Sequence, residues 1–85
     1  MREIKVNKFN TLEFEPHKIN EVNDKDRYFD VYLKSRKKEK ELVAEMKISL
    51  SDPKKSKVTI KKKGDVLHPK VLLTMNDYMN KYKDD

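Results

Sequence analysis

The sequence predicts an α+β fold: an antiparallel sheet of about four strands, or five, with one C-terminal helix packed on one face. Three observations carry this. Residues 27–50 hold two runs that alternate apolar and polar side chains on a period of two, the mark of half-buried strands. Residues 56–62 alternate again and are β-branched at Val58, Thr59 and Ile60, which suits a pleated surface. Residues 69–81 switch to spacings of three and four, where Val71, Leu72, Met75, Tyr78 and Met79, continued by Tyr82, form one helical stripe.

At the N-terminus, Ile4 and Val6 alternate with Glu3 and Lys5 in a short strand. Asn7–Lys8–Phe9–Asn10 follows as a turn, because Asn tolerates left-handed backbone. Leu12 and Phe14 then alternate with Glu13 and Glu15 up to Pro16, which cannot donate to a sheet ladder. These pieces fit one bulged strand or a small hairpin, and the strand count stays at four or five accordingly. Residues 17–26 are polar except for Ile19 and Val22, whose spacing permits one helical turn; the expectation is a loop tacked down by those two side chains.

In the first strand of the central hairpin, Phe29, Val31 and Leu33 face one way, and Tyr28, Asp30, Tyr32 and Lys34 the other. In the second, Leu42, Ala44, Met46, Ile48 and Leu50 share a face opposite Val43, Glu45, Lys47 and Ser49. Ser51–Asp52–Pro53 closes that strand with turn chemistry. In the last strand, Val58 and Ile60 point inward while Lys57, Thr59 and Lys61 point outward. Lys63–Gly64–Asp65 is a turn around the one glycine of the chain, expected at positive φ. Pro69 suits the first helical position, with His68 capping or flanking it, and Lys81 and Lys83 suit the C-terminal end of the helix dipole. The expected core is Ile4, Val6, Phe14, Phe29, Val31, Leu33, Leu42, Ala44, Met46, Ile48, Val58 and Ile60 beneath Leu72, Met75 and Met79.

Composition sets the remaining bounds. At 85 residues the chain makes one domain (1–85), and with 42% charged against 35% hydrophobic residues its apolar material is limited. Domains of this size bury only roughly 60% of their unfolded surface. The absence of Cys removes disulfides and thiolate metal sites, which leaves dimerisation as one way to bury more. Periodic placement of the apolar residues argues against disorder. No stretch approaches the ~20 apolar residues of a membrane span and no signal-like run opens the chain, so the expectation is a soluble cytoplasmic protein with no membrane partner. The Lys- and Asn-rich, Trp-free composition resembles coding from an AT-rich genome, such as that of a Gram-positive bacterium or its phage.

Catalysis finds little support. There is no Cys nucleophile, and one glycine rules out phosphate-cradling Gly-rich loops. His17 and His68 lack zinc spacing, and each has a plain structural reading as loop surface or helix flank. Asp24 and Asp26 are interrupted by Lys25 and Arg27, without the Gly and terminal Glu of a calcium loop. No catalytic residues, metal or cofactor are therefore expected, and the protein reads as a non-enzymatic binding module.

The net charge of +6 favours anionic partners, nucleic acid first. Lys34, Arg36, Lys37, Lys38 and Lys40 crowd the hairpin tip, and Lys54, Lys55, Lys57, Lys61, Lys62 and Lys63 crowd the ends of the last strand. Pairing of the last two strands is expected to bring both clusters onto one surface. Mostly Lys rather than Arg, they suit phosphate contact without base readout. The plainer alternative is a solvated rim that keeps sheet edges apart. Tyr28 and Tyr32, flanked by Lys34, Lys47, Thr59 and Lys61, offer a stacking platform on the open sheet face for single-stranded nucleic acid, while the partner as a whole is left open as single- or double-stranded DNA or RNA. They could equally form ordinary cross-strand pairs, or a dimer or protein-partner face. A protein partner is the alternative function, as for a phage or mobile-element factor modulating a host protein, reached through an edge strand or through Leu73 and Tyr82 of the helix.

Four strands followed by one helix, with Gly64-x-x-Leu67-His68-Pro69 opening that helix, is an order that resembles the single-stranded-DNA-binding domain of the positive-cofactor-4 transcriptional coactivators. The resemblance covers about twenty residues plus the element order. It implies a nucleic-acid partner and assigns no site residue in this chain.

Overall fold

The computed structural model of the chain describes residues 2–22, 24–36, 38–61 and 68–83. Five strands form one antiparallel sheet in sequence order: β1 (Arg2–Lys5), β2 (Asn10–Pro16), β3 (Asp26–Ser35), β4 (Glu41–Ser49) and β5 (Lys57–Ile60). The helix α1 (Pro69–Lys81) follows, as its spacing predicts. The α+β arrangement is the expected one, with the strand count resolved at five.

Asn7 decides that count. Its Oδ1 accepts the backbone N–H groups of Phe9 and Asn10 at 2.8 and 2.9 Å. This side-chain turn reverses the chain, so β1 and β2 form a hairpin rather than one bulged strand. The next connection contains a 3-10 turn, Lys18–Glu21, and differs from the expected loop. Ile19 and Val22 do not tack it down; Val22 is 82% exposed. Asn20 does instead, accepting the Tyr28 N–H at 2.8 Å and donating to the Tyr28 carbonyl at 2.9 Å. An amide side chain here replaces the hydrogen bonds a neighbouring strand would give.

Cross-strand partners share a face. On the inner face, Phe14 lies opposite Val31 and Val31 opposite Ala44, while Phe29 lies opposite Met46 and Met46 opposite Val58. Phe14 and Val31 are fully buried, as is Leu12, which the expected core omitted. α1 lies on this face with Val71 and Met75 buried. Tyr78 stacks on Phe14 with ring centroids 3.9 Å apart and meets Phe29 edge-on at 5.7 Å. Burial pushes the Tyr78 phenol above its ordinary 10.0, with the Arg2 charge pulling the other way. His68 caps the helix, its Nδ1 accepting the Lys70 N–H at 3.1 Å. Each large side chain buried in this layer contributes ~1.5–3 kcal/mol against chain entropy.

Strict alternation fails in β4. Val31 pairs with Ala44 but Tyr32 pairs with Leu42, so Val43 has no partner on β3, although its carbonyl accepts the Lys61 N–H at 2.9 Å on the other side. The extra residue of this β-bulge turns Val43 inward, where it is 0% exposed, and sends Leu42 outward at 37%. Both positions are the reverse of their expected faces. Ile60, expected in the core, is 44% exposed near the end of edge strand β5. Leu50 lies beyond β4 and is partly exposed. Ser49, expected outward, is buried; its N–H donates to Ser56 Oγ at 2.9 Å and its Oγ accepts from the Asp52 N–H at 3.3 Å. The expected Gly64 turn lies outside the described residues.

The bulge gives opposite outcomes at adjacent positions. Val43→Asp should lower unfolding free energy by at least ~3 kcal/mol, because it buries a charge with no partner. Leu42→Asp should stay within ~1 kcal/mol of the parent, as surface changes do. Urea denaturation of the two variants checks this, and an unbulged strand would exchange the results.

Candidate polyanion-binding surface

The outer face of the sheet is built in rows. Tyr28 lies opposite Lys47, and Lys47 opposite Lys57. In the next row, Glu15 lies opposite Asp30, Asp30 opposite Glu45, and Glu45 opposite Thr59. Beyond it come Glu13, Tyr32 and Leu42, then Thr11 and Lys34. Three carboxylates side by side repel one another unless cations reach them.

Partners for these carboxylates arrive from outside the row. His17 Nε2 lies 2.7 Å from Asp30 Oδ1, Lys61 Nζ lies 3.7 Å from Glu45, and Lys40 Nζ lies 4.0 Å from Glu15. Lys40 also meets Glu13 at 3.3 Å and sits 4.9 Å from the Tyr32 ring centroid. Glu13, which alternation puts in water, is 4% exposed beneath this bridge. The hydrogen bond to Glu13 and its charge hold the Lys40 ammonium above its ordinary 10.5, with Glu15 and Tyr32 adding and desolvation opposing.

These contacts sort the expected nucleic-acid residues. Tyr32 has one ring face occupied by Lys40. Tyr28, by contrast, lines an outer-face cleft of about 250 Å³ with Lys47, Lys57, Thr59 and Lys61, together with His17 and Glu45. Tyr28, Lys47, Thr59 and Lys61 were expected as neighbours, and β3, β4 and β5 bring them together. Lys47 reaches Asp26 at 3.9 Å; Lys57, among the described residues, has no carboxylate partner. His17 at this cleft went unforeseen, because its position depends on the β2–β3 register rather than on local pattern.

The two basic clusters share the outer face only in part: Lys61 reaches Glu45 in the same carboxylate row that Lys40 reaches at Glu15. Lys34, Arg36, Lys38 and Lys40 sit at the start of β4, whereas Lys54 and Lys55 lie in a 3-10 turn, Pro53–Lys55, past its end. The 9 residues of β4 separate them by roughly 30 Å at the ordinary strand rise. Antiparallel pairing of β4 with β5 places Lys57, not the hairpin tip, beside Lys54 and Lys55. Lys37, Lys62 and Lys63 lie outside the described residues.

Comparison of the chain with protein-family models, curated proteins and solved structures returns no match. Among the described residues, no helix is long and apolar enough to cross a membrane. The functional reading therefore rests on the chemistry of this surface.

The raised Lys40 and Tyr78 values carry a sign. A group whose folded value lies above its unfolded one stabilises fully below the unfolded value and loses that effect as pH rises through the folded one. Stability should therefore fall above pH 10.0–10.5. A Lys40→Gln variant should unfold at lower urea than the parent at neutral pH, and the gap should narrow once pH passes the folded value of Lys40.

Proposed function

We propose that this protein is a non-enzymatic module that binds single-stranded nucleic acid, holding phosphates with lysines and stacking a base on Tyr28. One observation carries the reading: Tyr28 of β3, Lys47 of β4, Lys57 of β5 and Lys61 just past β5 line a single cleft. An aromatic ring beside a positive groove is how strands are held without sequence preference, because every base has a π face. Lysine ammonium groups supply point charges for phosphates and lack the fork that reads guanine. Glu45 already pairs with Lys61 at 3.7 Å, so a phosphate here exchanges one anionic partner for another. A protein-docking helix is less well supported. Leu73 is exposed, but Tyr82 packs edge-on against Phe29 at 5.6 Å.

Affinity for a single-stranded thymidine oligonucleotide, measured across a salt series, tests the reading. Log affinity should fall linearly with log salt, and Lys57→Ala should reduce the slope by ~0.7 if it neutralises one phosphate. Tyr28→Ala should cost ~1–3 kcal/mol at fixed salt. Negligible binding at low salt, or affinity indifferent to salt, overturns the proposal.

A further inference from the structure

At the end of the outer face away from Tyr28, the β1–β2 and β3–β4 connections meet. The Arg36 N–H donates to the Phe9 carbonyl at 3.1 Å and joins the two tips. The Asn7 turn leaves Phe9 57% exposed, and the Arg36 guanidinium carbon sits 6.0 Å from its ring centroid. Two clefts adjoin the ring. One, of about 170 Å³, opens on the outer face between Phe9, Lys8, Lys34 and Arg36, with Glu3 its one acidic wall. The other, of about 450 Å³, shares Phe9, Ser35 and Arg36 with it and adds Lys38.

Charge distinguishes this tip from the middle of the face. Among the described residues, Lys8, Lys34, Arg36 and Lys38 have no carboxylate partner, whereas Lys40, Lys47 and Lys61 each do. The aromatic ring is therefore placed in water among uncompensated cations, where it adds little to the core. The row of Glu15, Asp30 and Glu45 separates it from the Tyr28 cleft, so the tip is a site of its own.

We propose that Phe9 and Arg36 form a second stacking subsite, which takes one unpaired base of a single-stranded nucleic acid while Lys8, Lys34 and Lys38 hold the flanking phosphates. The proposal rests on the nucleic-acid reading above. A planar guanidinium stacks on a base as an aromatic ring does, so the Phe9–Arg36 pair offers two flat surfaces at one place. A duplex keeps its base faces stacked internally and presents only phosphate here.

The chain has no Trp, so Phe9→Trp places one reporter at the tip. A short single-stranded thymidine oligonucleotide should quench its emission at low salt, and inorganic polyphosphate should bind without doing so. Phe9→Ala should lower oligonucleotide affinity at least about fivefold and leave polyphosphate affinity unchanged. Circular dichroism like that of the parent is expected, because the ring lies outside the core. Salt-dependent oligonucleotide binding with unchanged Trp emission and no effect of Phe9→Ala overturns the subsite and leaves the Tyr28 reading standing. Equal quenching by both polyanions also overturns it, since charge alone would then explain the contact. Failure of both polyanions to bind at low salt removes the subsite and the nucleic-acid reading together.

Discussion

A helix of 13 residues is about 20 Å long and covers one side of a five-stranded sheet. α1 is committed to the inner face by aromatic packing: Tyr78 lies flat on Phe14, and Tyr78 and Tyr82 both meet the edge of Phe29. With that face sealed, the opposite one has to be compatible with water along its whole length. Antiparallel sheets solve this by alternation, and here alternation fills the outer face with charged residues and tyrosines rather than small polar ones. The candidate binding surface is thus a consequence of having one helix for two faces.

Charged residues on a sheet face impose their own constraint. The register places Glu15, Asp30 and Glu45 in one row, so each needs a partner from outside it. Lys40 and Lys61 reach Glu15 and Glu45 and so use up positive charge in the middle of the face, while the His17 ring meets Asp30 through Nε2. Lys40 has the largest share, reaching Glu13, Glu15 and the Tyr32 ring from the β3–β4 connection. The net +6 of the chain is therefore not spread evenly. Among the described residues, Lys57 near Tyr28 and Lys8, Lys34, Arg36 and Lys38 around Phe9 keep no carboxylate partner, as do Lys54 and Lys55 past β4 and Lys18 and Lys70 off the sheet.

The sequence shows a good part of this. Period-two runs place Phe29, Val31 and Met46 inside and Tyr28 and Tyr32 outside, and three- and four-residue spacing marks α1. Leu42–Val43–Ala44 defeats the method, because three consecutive apolar residues fit either face and nothing local marks a bulge. Burial of Glu13 depends on Lys40, 27 residues away, and is invisible to any window. Asn20 could have been suspected as a backbone mimic from its residue type, but its partner Tyr28 belongs to another element. Phe9 carried a signal: a large aromatic between Lys8 and Asn10 in a turn has no core to enter. For the two basic clusters, strand pairing alone does not say which end each lysine occupies: Lys61 lands on the row that Lys40 reaches, and Lys54 and Lys55 past the far end of β4.

Residue-level mapping of oligonucleotide binding tests the outer-face account most directly. In a titration of isotopically labelled protein with a single-stranded thymidine oligonucleotide, followed by amide NMR, shifts should concentrate at Tyr28, Lys47, Lys57 and Lys61 and at Phe9 and Arg36. Amides of α1 should stay in place. Shifts confined to Leu73 and its neighbours on α1, with the outer-face amides unmoved, would contradict the account.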